Sequence, residues 1–597
     1  MSKNIKKTAS KPAKTDFTAI KKLLRYSKPY SGIILAALFC ALVQITATLL
    51  APVIIGRTVD YIIGVNDVNF EIIFKNSMIL LVLIAAAVGG QYLSSVLINR
   101  ASFKIIRDLR IDAFNKLNTV PLSFIDKNSR GDLMARVGSD IDQISDGLIQ
   151  GFQQLFSGVV TIAGTLVFML IYNPLIAIVV VLLTPLSLFV AYFIAKGCHN
   201  TFALQAAKRG EMSGLITEMF QNQRVVKLFG YESRAEKRFA VINADLKKHG
   251  QNAAFFSAMV NPCTRFINNV VYVAVCMLGA YLVVSGKTML ASSALTVGGL
   301  SCVLSYSGQY AKPFNEITGV ITELQTASAA AKRVFDLLES PDQPSDENCA
   351  ELNSISGDVK MENVDFSYVE SVPLIKGLSL HAAPGEKVAI VGPTGCGKTT
   401  LINLLMRFYD PISGKITVDD TDALSVKRTS LRLKYGMVLQ DTWLKKGTVR
   451  DNIAYGNPNA AMDEIIASAK AARIHNFIMR LDKGYDSILT DDGGNVSAGQ
   501  KQLLCIARVM LLKPPMLILD EATSSIDTRT ELKVQEAFNE LMKNKTSFIV
   551  AHRLSTIKNA DLILVMKNGN VVEKGTHDEL LEKGGFYSDL YNSQFEH

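Results

Sequence analysis

The chain has 597 residues, which is too long for a single hydrophobic core and predicts at least two domains. Hydrophobic residues make up 49% of it and charged residues 20%, a combination that fits a membrane segment joined to a soluble domain. The net charge of +9 does not indicate nucleic-acid binding, because most of the excess lies in short segments between apolar runs of the first half. The eight cysteines form no CxxC pair, which argues against a zinc site or a disulfide framework.

Five uncharged stretches in the first half are long enough to cross a bilayer. They cover residues 31–56, 76–99, 147–195, 266–286 and 288–311. The third has 49 residues and is interrupted by Tyr172, Asn173 and Pro174, so it predicts two helices of about 20 residues joined by a tight turn. The sequence therefore predicts six membrane-spanning helices, since the buried helices of a soluble domain rarely avoid charge over such lengths.

Lysine and arginine concentrate on one side of these helices. Four basic residues at positions 21–28 precede the first helix, and the segments 100–146 and 196–265 are also rich in both residue types. The segment 57–75 is slightly acidic, and the other two connections are very short. Because basic residues mark the cytoplasmic side, six helices place both termini in the cytoplasm of an integral plasma (inner) membrane protein.

The two long basic segments have helical periodicity, which predicts that the membrane helices continue well into the cytoplasm. Residues 121–126 and 217–222 interrupt this pattern and predict two turns. Each turn is expected to present a short exposed segment far from the membrane.

The composition changes between residues 339 and 348, where Ser, Pro, Asp, Gln and Glu predict a linker. No uncharged stretch of membrane length follows it. From residue 359 onward, short β-branched strands alternate with helical patterns, which is typical of an α/β domain.

A predicted strand at residues 387–391 runs directly into a complete phosphate-binding loop (P-loop). Glycines let backbone N–H groups turn toward phosphate oxygens, and the following helix presents its positive N-terminal end. Lys398 is expected to bind the β and γ phosphates of ATP and Thr399 to bind Mg²⁺. The residues predicted to hold nucleotide are Gly392, Pro393, Thr394, Gly395, Cys396, Gly397, Lys398, Thr399 and Thr400.

A second apolar strand, residues 516–520, ends in two carboxylates. Asp520 suits the coordination shell of Mg²⁺. Glu521 points to the other side of the strand and suits polarising the attacking water. These motifs together predict a P-loop NTPase.

The residues around these motifs resemble the ABC transporter superfamily. Tyr368 precedes the P-loop where the family has an aromatic residue that stacks on adenine. Gln440 matches the family glutamine that contacts Mg²⁺ and water, and Asp527 matches the aspartate of the D-loop. His552 follows a predicted strand and matches the switch histidine that contacts the γ phosphate. The resemblance thus implies the catalytic residues Glu521, His552 and Gln440, and the Mg²⁺ ligands Thr399, Gln440 and Asp520.

The segment Val496-Ser-Ala-Gly-Gln500 resembles the family signature motif, whose usual form is Leu-Ser-Gly-Gly-Gln. The resemblance implies that Ser497, Gly499 and Gln500 bind the nucleotide held by the P-loop of a second subunit, so the chain is expected to dimerise. Ala498 and Val496 depart from the pattern, while the hydrolytic residues are complete. This combination is similar to the catalytically complete subunit of heterodimeric bacterial exporters and favours a heterodimer over a homodimer.

The resemblance covers the whole chain and implies an exporter-type half-transporter. The implied fold is an α-helical membrane domain of six helices followed by an α/β P-loop ATPase domain. The two inner turns resemble coupling helices, which dock on ATPase domains. The predicted segments are a tail with an amphipathic elbow helix (1–30), the membrane domain (31–335), a linker (336–357) and the nucleotide-binding domain (358–597).

The predicted function is export of an amphiphilic or hydrophobic molecule, such as a drug or lipid, by alternating access driven by ATP hydrolysis. The uncharged runs contain amides, among them Gln44 and Gln153, but no charge, which favours a neutral or amphiphilic cargo. These amides also suit hydrogen bonds between helices. An importer on the same scaffold, for example for siderophores, and a homodimeric exporter stay open, because the motifs do not separate them.

Overall fold

The computed structural model divides the chain into two compact units. The first unit contains Met1–Thr119 and Ser129–Ser340, and the second contains Val120–Asn128 and Pro341–His597. The structure describes residues 17–62, 68–286, 294–369, 372–439, 442–490, 493–520, 527–551 and 554–595. The last boundary between the units falls inside the predicted linker.

The first unit is helical, and six of its described helices have 30 or more residues. The helices up to residue 340, including α4 of the second unit, are α1 (Phe17–Ser27), α2 (Ser31–Asp60), α3 (Phe70–Thr119), α4 (Leu122–Lys127), α5 (Arg130–Val137), α6 (Ser139–Tyr172), α7 (Pro174–Gln221), α8 (Gln223–Leu228), α9 (Glu232–Ser285) and α10 (Val297–Leu338). The long helices extend past the uncharged runs, as predicted. The first predicted turn differs, because residues 122–127 form the short helix α4, which begins after Pro121.

Four helical segments of the described chain are long and apolar enough to cross a membrane. They are Lys21–Asp60, Phe70–Thr119, Arg130–Tyr172 and Glu232–Ser285, and a shorter apolar stretch covers Pro174–Ser187. Large apolar side chains face outward, since Phe39 of α2 is 65% exposed and Val82 of α3 is 63% exposed. Such a surface suits lipid rather than water. The chain is therefore an integral membrane protein, whereas six spans and cytoplasmic termini stay predictions.

The connection between α6 and α7 is the single residue Asn173. Its side-chain oxygen accepts hydrogen bonds from the backbone N–H groups of Leu175 at 3.0 Å and Ile176 at 3.2 Å. Pro174 is the first residue of α7, where its missing N–H is not needed. Both residues favour a helix start at this point. The predicted tight turn between two helices is confirmed.

Helices α2 and α10 approach very closely where two glycines meet. A Cβ atom at Gly298 would overlap the carbonyl oxygen of Gly56 and lie 2.7 Å from the carboxylate of Asp60. The Asp60 carboxylate accepts hydrogen bonds from the backbone N–H of Gly298 at 2.7 Å and from the Thr296 hydroxyl at 2.8 Å. Asp60, at the C-terminus of α2, thus caps the N-terminus of α10.

We expect Gly298→Ala to destabilise the membrane unit. The added methyl group meets backbone atoms of α2, so the two helices must separate, and overpacking of this kind costs about 1–3 kcal/mol. The measurement is the midpoint temperature of thermal unfolding in detergent. Gly308→Ala is the matched control, because a Cβ at that position of α10 has no atom within 4 Å. Equal midpoints for the two variants would contradict the prediction.

The described residues of the second unit form three β-sheets. Its described strands are β1 (Val359–Phe366), β2 (Ile375–Ala382), β3 (Lys387–Val391), β4 (Ser413–Val418), β5 (Thr421–Asp422), β6 (Tyr435–Val438), β7 (Gly447–Thr448), β8 (Ile488–Leu489), β9 (Met516–Asp520), β10 (Thr546–Val550), β11 (Leu562–Lys567) and β12 (Asn570–Gly575). Its described helices beyond α4 are α11 (Lys398–Leu405), α12 (Arg428–Leu433), α13 (Val449–Ile453), α14 (Met462–Ala471), α15 (His475–Ile478), α16 (Ala498–Leu512), α17 (Thr528–Leu541), α18 (Leu554–Lys558), α19 (His577–Glu582) and α20 (Phe586–Phe595). Strands and helices alternate, which confirms the prediction of an α/β domain.

The six-stranded sheet has the order β12-β11-β3-β10-β9-β6. All neighbouring strands in it are parallel except β11 and β12, which are antiparallel. The strands β3, β9 and β10 are almost wholly buried, as expected for parallel strands covered on both faces. A separate antiparallel sheet has the order β2-β1-β4-β5.

Candidate nucleotide-binding site

The carboxyl ends of β3, β10 and β9 meet at one edge of the parallel sheet. Val550 of β10 pairs with Ile390 of β3 on one side and with Asp520 of β9 on the other. The P-loop follows β3 at this edge, and Asp520 is the last residue of β9. The crevice outside the carboxyl ends of parallel strands is where α/β proteins bind ligands.

Three predicted catalytic residues, Gln440, Glu521 and His552, lie outside the described residues. In the sequence they follow β6, β9 and β10 by two, one and two residues, respectively. All three strands belong to the parallel sheet that carries the P-loop. The predicted roles of these residues stay predictions.

The P-loop between β3 and α11 depends on glycine. Gly392, Gly395 and Gly397 have φ angles of +153°, +83° and +105°. Side chains disfavour such angles. A Cβ at Gly392 would also overlap the carbonyl oxygen of Met566 and lie 2.7 Å from the sulfur of Cys396. The loop can therefore form only with glycine at Gly392.

The side chain of Lys398 folds back into the P-loop. Its ammonium group donates hydrogen bonds to the carbonyl oxygens of Gly392 at 2.7 Å and Pro393 at 3.1 Å. Thr399 is exposed in the first turn of α11, and Thr400 is buried. The ammonium and the N-terminal end of α11 both contribute positive potential, which suits a phosphate group.

The thiol of Cys396 is buried and lies 3.9 Å from the Lys398 ammonium. The residue is 3% exposed, and its carbonyl oxygen accepts a hydrogen bond from the N–H of Gly569 at 3.0 Å. We therefore expect Cys396 to bind nucleotide through its backbone. The buried thiol should react slowly with bulky reagents.

Tyr368 forms hydrogen bonds with α11, the helix that follows the P-loop. Its hydroxyl donates to the Thr400 hydroxyl at 3.3 Å and accepts a hydrogen bond from the Asn403 amide at 3.1 Å. The ring lies edge-on against Phe366, with centroids 4.9 Å apart, and remains 40% exposed. The structure thus brings the predicted adenine-stacking residue next to the predicted phosphate site.

Tyr409 connects Tyr368 with the short helix α4. Its ring contacts the Tyr368 ring edge-on at 5.0 Å, and its hydroxyl donates a hydrogen bond to Asp126 of α4. Burial, followed by the hydrogen bond to Asp126, raises the pKa of the Tyr409 phenol, which therefore remains a donor at physiological pH. A chain of contacts thus joins α4 to the predicted nucleotide site.

We expect Tyr409→Phe to weaken the coupling of ATP hydrolysis to transport. The variant keeps the aromatic ring but loses the hydrogen bond to Asp126. A hydrogen bond to a charged group contributes about 1.5–3 kcal/mol, so transport should fall about tenfold or more. The measurement is ATP hydrolysis with and without transported substrate in reconstituted membranes.

Asp126→Asn provides the matched variant on the other side of this hydrogen bond. Because the amide oxygen still accepts a hydrogen bond, the loss of coupling should be smaller than in Tyr409→Phe. Tyr455→Phe, at an exposed tyrosine of the same unit, is the control and should match the wild type. Unchanged coupling in Tyr409→Phe would contradict the prediction.

The signature residues form a capping box at the start of α16. The Ser497 hydroxyl accepts from the N–H of Gln500 at 3.3 Å, and the side-chain oxygen of Gln500 accepts from the N–H of Ser497 at 2.9 Å. Gly499 is buried, whereas Ala498 is exposed as the first residue of the helix. Alanine fits this helical position without backbone strain. Within the described chain, no hydrogen bond or ion pair joins Ser497 or Gln500 to the P-loop.

Asp527 caps the N-terminus of α17. Its carboxylate accepts a hydrogen bond from the N–H of Thr530 at 3.0 Å. Hydrogen bonds from the backbone and side chain of Thr530 lower the pKa of Asp527, so the residue is ionised at neutral pH. The structure thus gives Asp527 a structural role beside its predicted contact with nucleotide.

The residues at the sheet edge fit a magnesium ion bound together with ATP. Thr399 offers a hydroxyl oxygen at the start of α11, and Asp520 offers a carboxylate at the end of β9. Mg²⁺ prefers oxygen ligands and is commonly held by one or two protein groups plus phosphate and water. We therefore expect these two residues to hold the ion when ATP is bound.

Two contacts of this site were not predicted from the sequence, those of Asn403 and Tyr409. Asn403 lies within α11 and Tyr409 follows the end of α11 by four residues, at distances of 5 and 11 residues from Lys398. A useful signal was the aromatic pair Phe408 and Tyr409, which stands directly after an apolar helix and before a turn. The partner Asp126 had no such signal, since it is 283 residues away from Tyr409.

Comparison with known proteins identifies two family matches in this chain. Residues 34–314 match the ABC transporter transmembrane region, and residues 375–524 match the family described as ABC transporter. The chain is 42% identical to a fatty acid ABC transporter ATP-binding/permease protein of Mycobacterium bovis, covering 89% of this chain and 84% of the relative. It is 33% identical to an ATP-dependent lipid A-core flippase of Syntrophus aciditrophicus, covering 96% and 94%.

A solved structure is also similar over almost the whole chain. It is the structure of a bacterial Atm1-family ABC exporter with ATP bound. The TM-score is 0.75 at 28% sequence identity, and the match covers 95% of this chain and 98% of the other. The fold of this chain is therefore that of a helical membrane domain followed by an ATPase domain, as the sequence predicted.

Proposed function

We propose, given that this chain belongs to the exporter-type ABC transporters and couples ATP hydrolysis to transport, that its cargo is an amphiphilic, lipid-like molecule moved outward across the membrane. The observation that carries this proposal is a cavity of about 400 Å³ in the membrane unit. Its lining combines amide side chains with apolar ones, such as Ile45 and Leu49 of α2. A polar head group and an apolar chain both find matching surfaces in such a cavity. The names of the fatty acid and lipid A-core relatives are consistent with a lipid-like cargo.

The proposed mechanism assigns separate tasks to the residues of the sheet edge. Lys398 and the P-loop N–H groups hold the phosphates of ATP, while Thr399 and Asp520 hold Mg²⁺, which neutralises phosphate charge when bound. Glu521 orients and deprotonates the attacking water, and Gln440 and His552 contact the water and the γ phosphate. Because the signature residues make no described contact with the P-loop of their own chain, the proposal assigns them to the ATP of a second subunit.

The proposed cycle uses ATP as a bridge between two subunits. Bound ATP favours the closed pair of ATPase domains, and hydrolysis removes the γ phosphate that joins them. The membrane helices then alternate between inward-open and outward-open arrangements. In this cycle α4 and α8 are the elements that transmit movement of the ATPase domains.

We further propose that the second subunit is a different half-transporter. The support is Val496 and Ala498 in the signature motif, beside the complete set Asp520, Glu521, Gln440 and His552. Ala498 fits its helix without strain, so its methyl group does not distort α16. The methyl group instead narrows the space for the γ phosphate of the ATP that the second subunit holds.

The test is purification of the tagged chain from its native membrane. A second, related half-transporter in equal amount, which restores ATP hydrolysis when co-expressed, is the expected result. Strong substrate-stimulated hydrolysis by the chain purified alone would overturn the heterodimer and favour the homodimer. The control is Glu521→Gln in the same preparation, which reports hydrolysis by contaminating ATPases.

Transport direction is tested with inside-out membrane vesicles. ATP added outside should drive a fluorescent phospholipid analogue into the vesicle lumen or the lumenal leaflet. Loss of preloaded analogue from the vesicle lumen, driven by ATP added outside, would favour the importer alternative. The Glu521→Gln complex, which should bind ATP without turnover, is the matched control.

A further inference from the structure

We infer that the cavity of the membrane unit binds the head group of a zwitterionic amphiphile, with Lys312 facing its anionic group and Glu316 its cationic group. This inference rests on the proposed function and narrows its substrate class. Six of the polar residues that line the cavity carry the inference: Gln44, Gln153, Gln154, Gln309, Lys312 and Glu316.

Lys312 and Glu316 are four residues apart on α10. Residues at this spacing lie on the same face of a helix, one turn apart, with Cβ atoms about 5–6 Å from each other. Both side chains line the cavity and both are exposed in the isolated chain. The cavity therefore presents one positive and one negative group side by side.

Neither Lys312 nor Glu316 has a charged partner within the part of the chain that the structure describes. Among the described residues, Lys312 and Glu316 form no ion pair and no hydrogen bond, with each other or with any other side chain. A charged group within a membrane domain is costly unless it faces water, a partner group or a ligand. Two such groups of opposite sign on one cavity wall indicate a ligand that supplies the complementary charges.

Gln309 gives an independent indication of a missing ligand group. Its side-chain oxygen is buried and has no hydrogen-bond partner among the described residues, although the residue lines the cavity one turn before Lys312. A buried acceptor without a donor is destabilising, so a donor from a bound molecule would be favoured there. An ammonium or hydroxyl group of a head group is such a donor.

The remaining amides supply hydrogen bonds of both kinds. The Gln153 amide donates to the Ser95 hydroxyl at 3.2 Å, which fixes its orientation. Gln44 of α2 and Gln154 of α6 also line the cavity. Amides donate and accept, so they accommodate the oxygens of a phosphate as well as the hydrogens of an amine.

The charge pattern favours a zwitterion over a simple ion. A fatty acid anion beside Lys312 would also lie close to the carboxylate of Glu316, and the repulsion would offset the attraction. A quaternary ammonium ion beside Glu316 would meet the same difficulty with Lys312. A head group that carries both charges gains from both residues, because each of its charges has an opposite neighbour.

The experiment uses the full transporter complex in lipid nanodiscs and three probes with the same acyl length. The probes are a lysophosphatidylcholine, a fatty acid anion and an alkyltrimethylammonium cation. Binding is measured in the nanodiscs by displacement of a fluorescent lysolipid. Transport is measured separately, as ATP-dependent accumulation of the same lysolipid in inside-out vesicles. The wild type should bind the zwitterion at least tenfold more tightly than either ion.

The two charge variants should shift this preference in opposite directions. Lys312→Gln leaves Glu316 alone and should raise the relative affinity for the cation, whereas Glu316→Gln should raise the relative affinity for the anion. Glu323→Gln, on the same helix but not among the residues lining the cavity, is the matched control and should keep the wild-type preference. The midpoint temperature of thermal unfolding of each variant reports correct folding.

Two results would overturn the inference. The first is equal affinity of the wild type for the three probes. The second is an equal loss of affinity for all three probes in both charge variants, because a purely structural role of the two residues predicts that loss. Failure of the proposed function has a different outcome, in which no amphiphile is transported although ATP is hydrolysed. Transport of amphiphiles without a charge preference would leave the proposed function intact and would contradict only the inference of a zwitterionic head group.

Discussion

Glu521→Gln is expected to lower ATP hydrolysis at least 100-fold while leaving ATP binding nearly unchanged. In the sequence the glutamate directly follows Asp520, the last residue of β9, and the P-loop follows β3 of the same sheet. A carboxylate that takes a proton from attacking water contributes about 10²–10⁴-fold to a rate, and an amide cannot take that proton. The charge of the P-loop and its N–H groups is unaffected, so ATP should still bind.

The measurement for Glu521→Gln combines phosphate release with binding of a fluorescent ATP analogue. Glu582→Gln, at an exposed position of α19, is the control and should hydrolyse ATP at the wild-type rate. Trapped nucleotide should accumulate in the Glu521→Gln complex, because binding continues without turnover. Hydrolysis and transport at full rate would remove Glu521 from the catalytic set.

Lys398→Ala is expected to weaken ATP binding about 100-fold and thereby to abolish transport. The ammonium group already lies within the P-loop, 2.7 Å from the carbonyl oxygen of Gly392. A charged hydrogen bond is worth about 1.5–3 kcal/mol, and the lysine is expected to reach two phosphates. The loss therefore appears in the dissociation constant, in contrast to Glu521→Gln.

Isothermal titration calorimetry with ATP and Mg²⁺ measures the effect of Lys398→Ala. Lys398→Arg separates charge from geometry, since guanidinium keeps the charge but does not fit the short contacts to Gly392 and Pro393. Lys415→Ala, on β4, is the control. A wild-type dissociation constant for Lys398→Ala would show that the P-loop glycines alone hold the phosphates.

The P-loop was predictable because its function depends on residues that are contiguous in the chain. Gly392, Gly395 and Gly397 all adopt the φ angles that favour glycine. The start of α7 was predictable for the same reason, since Asn173 and Pro174 act on the next few residues. Interactions between residues that are close together in the chain can be predicted from the sequence alone.

Lys312 and Glu316 were not predicted as cavity residues because they follow the last of the uncharged runs that define the predicted membrane helices. The last uncharged run ends at residue 311, and Lys312 is the next residue. The sequence analysis therefore found no charge within the runs, whereas α10 continues unbroken to Leu338 and brings Lys312 and Glu316 to the cavity. The cavity itself joins α2, α6 and α10, which no local pattern brings together.

The hydrogen bonds of Asp60 and the close contact of Gly56 with Gly298 hold the C-terminal end of α2 against the N-terminal end of α10. Gln44 and Lys312 lie 12 and 14 residues from Gly56 and Gly298, or about 18 Å and 21 Å along their helices at 1.5 Å per residue. Hydrogen bonds from the Cys302 thiol to the carbonyl oxygen of Pro52 and from the Tyr306 hydroxyl to that of Leu49 extend this junction toward the cavity. We therefore expect the two helices to separate most beyond Leu49 and Tyr306, where Gln44 and Lys312 lie.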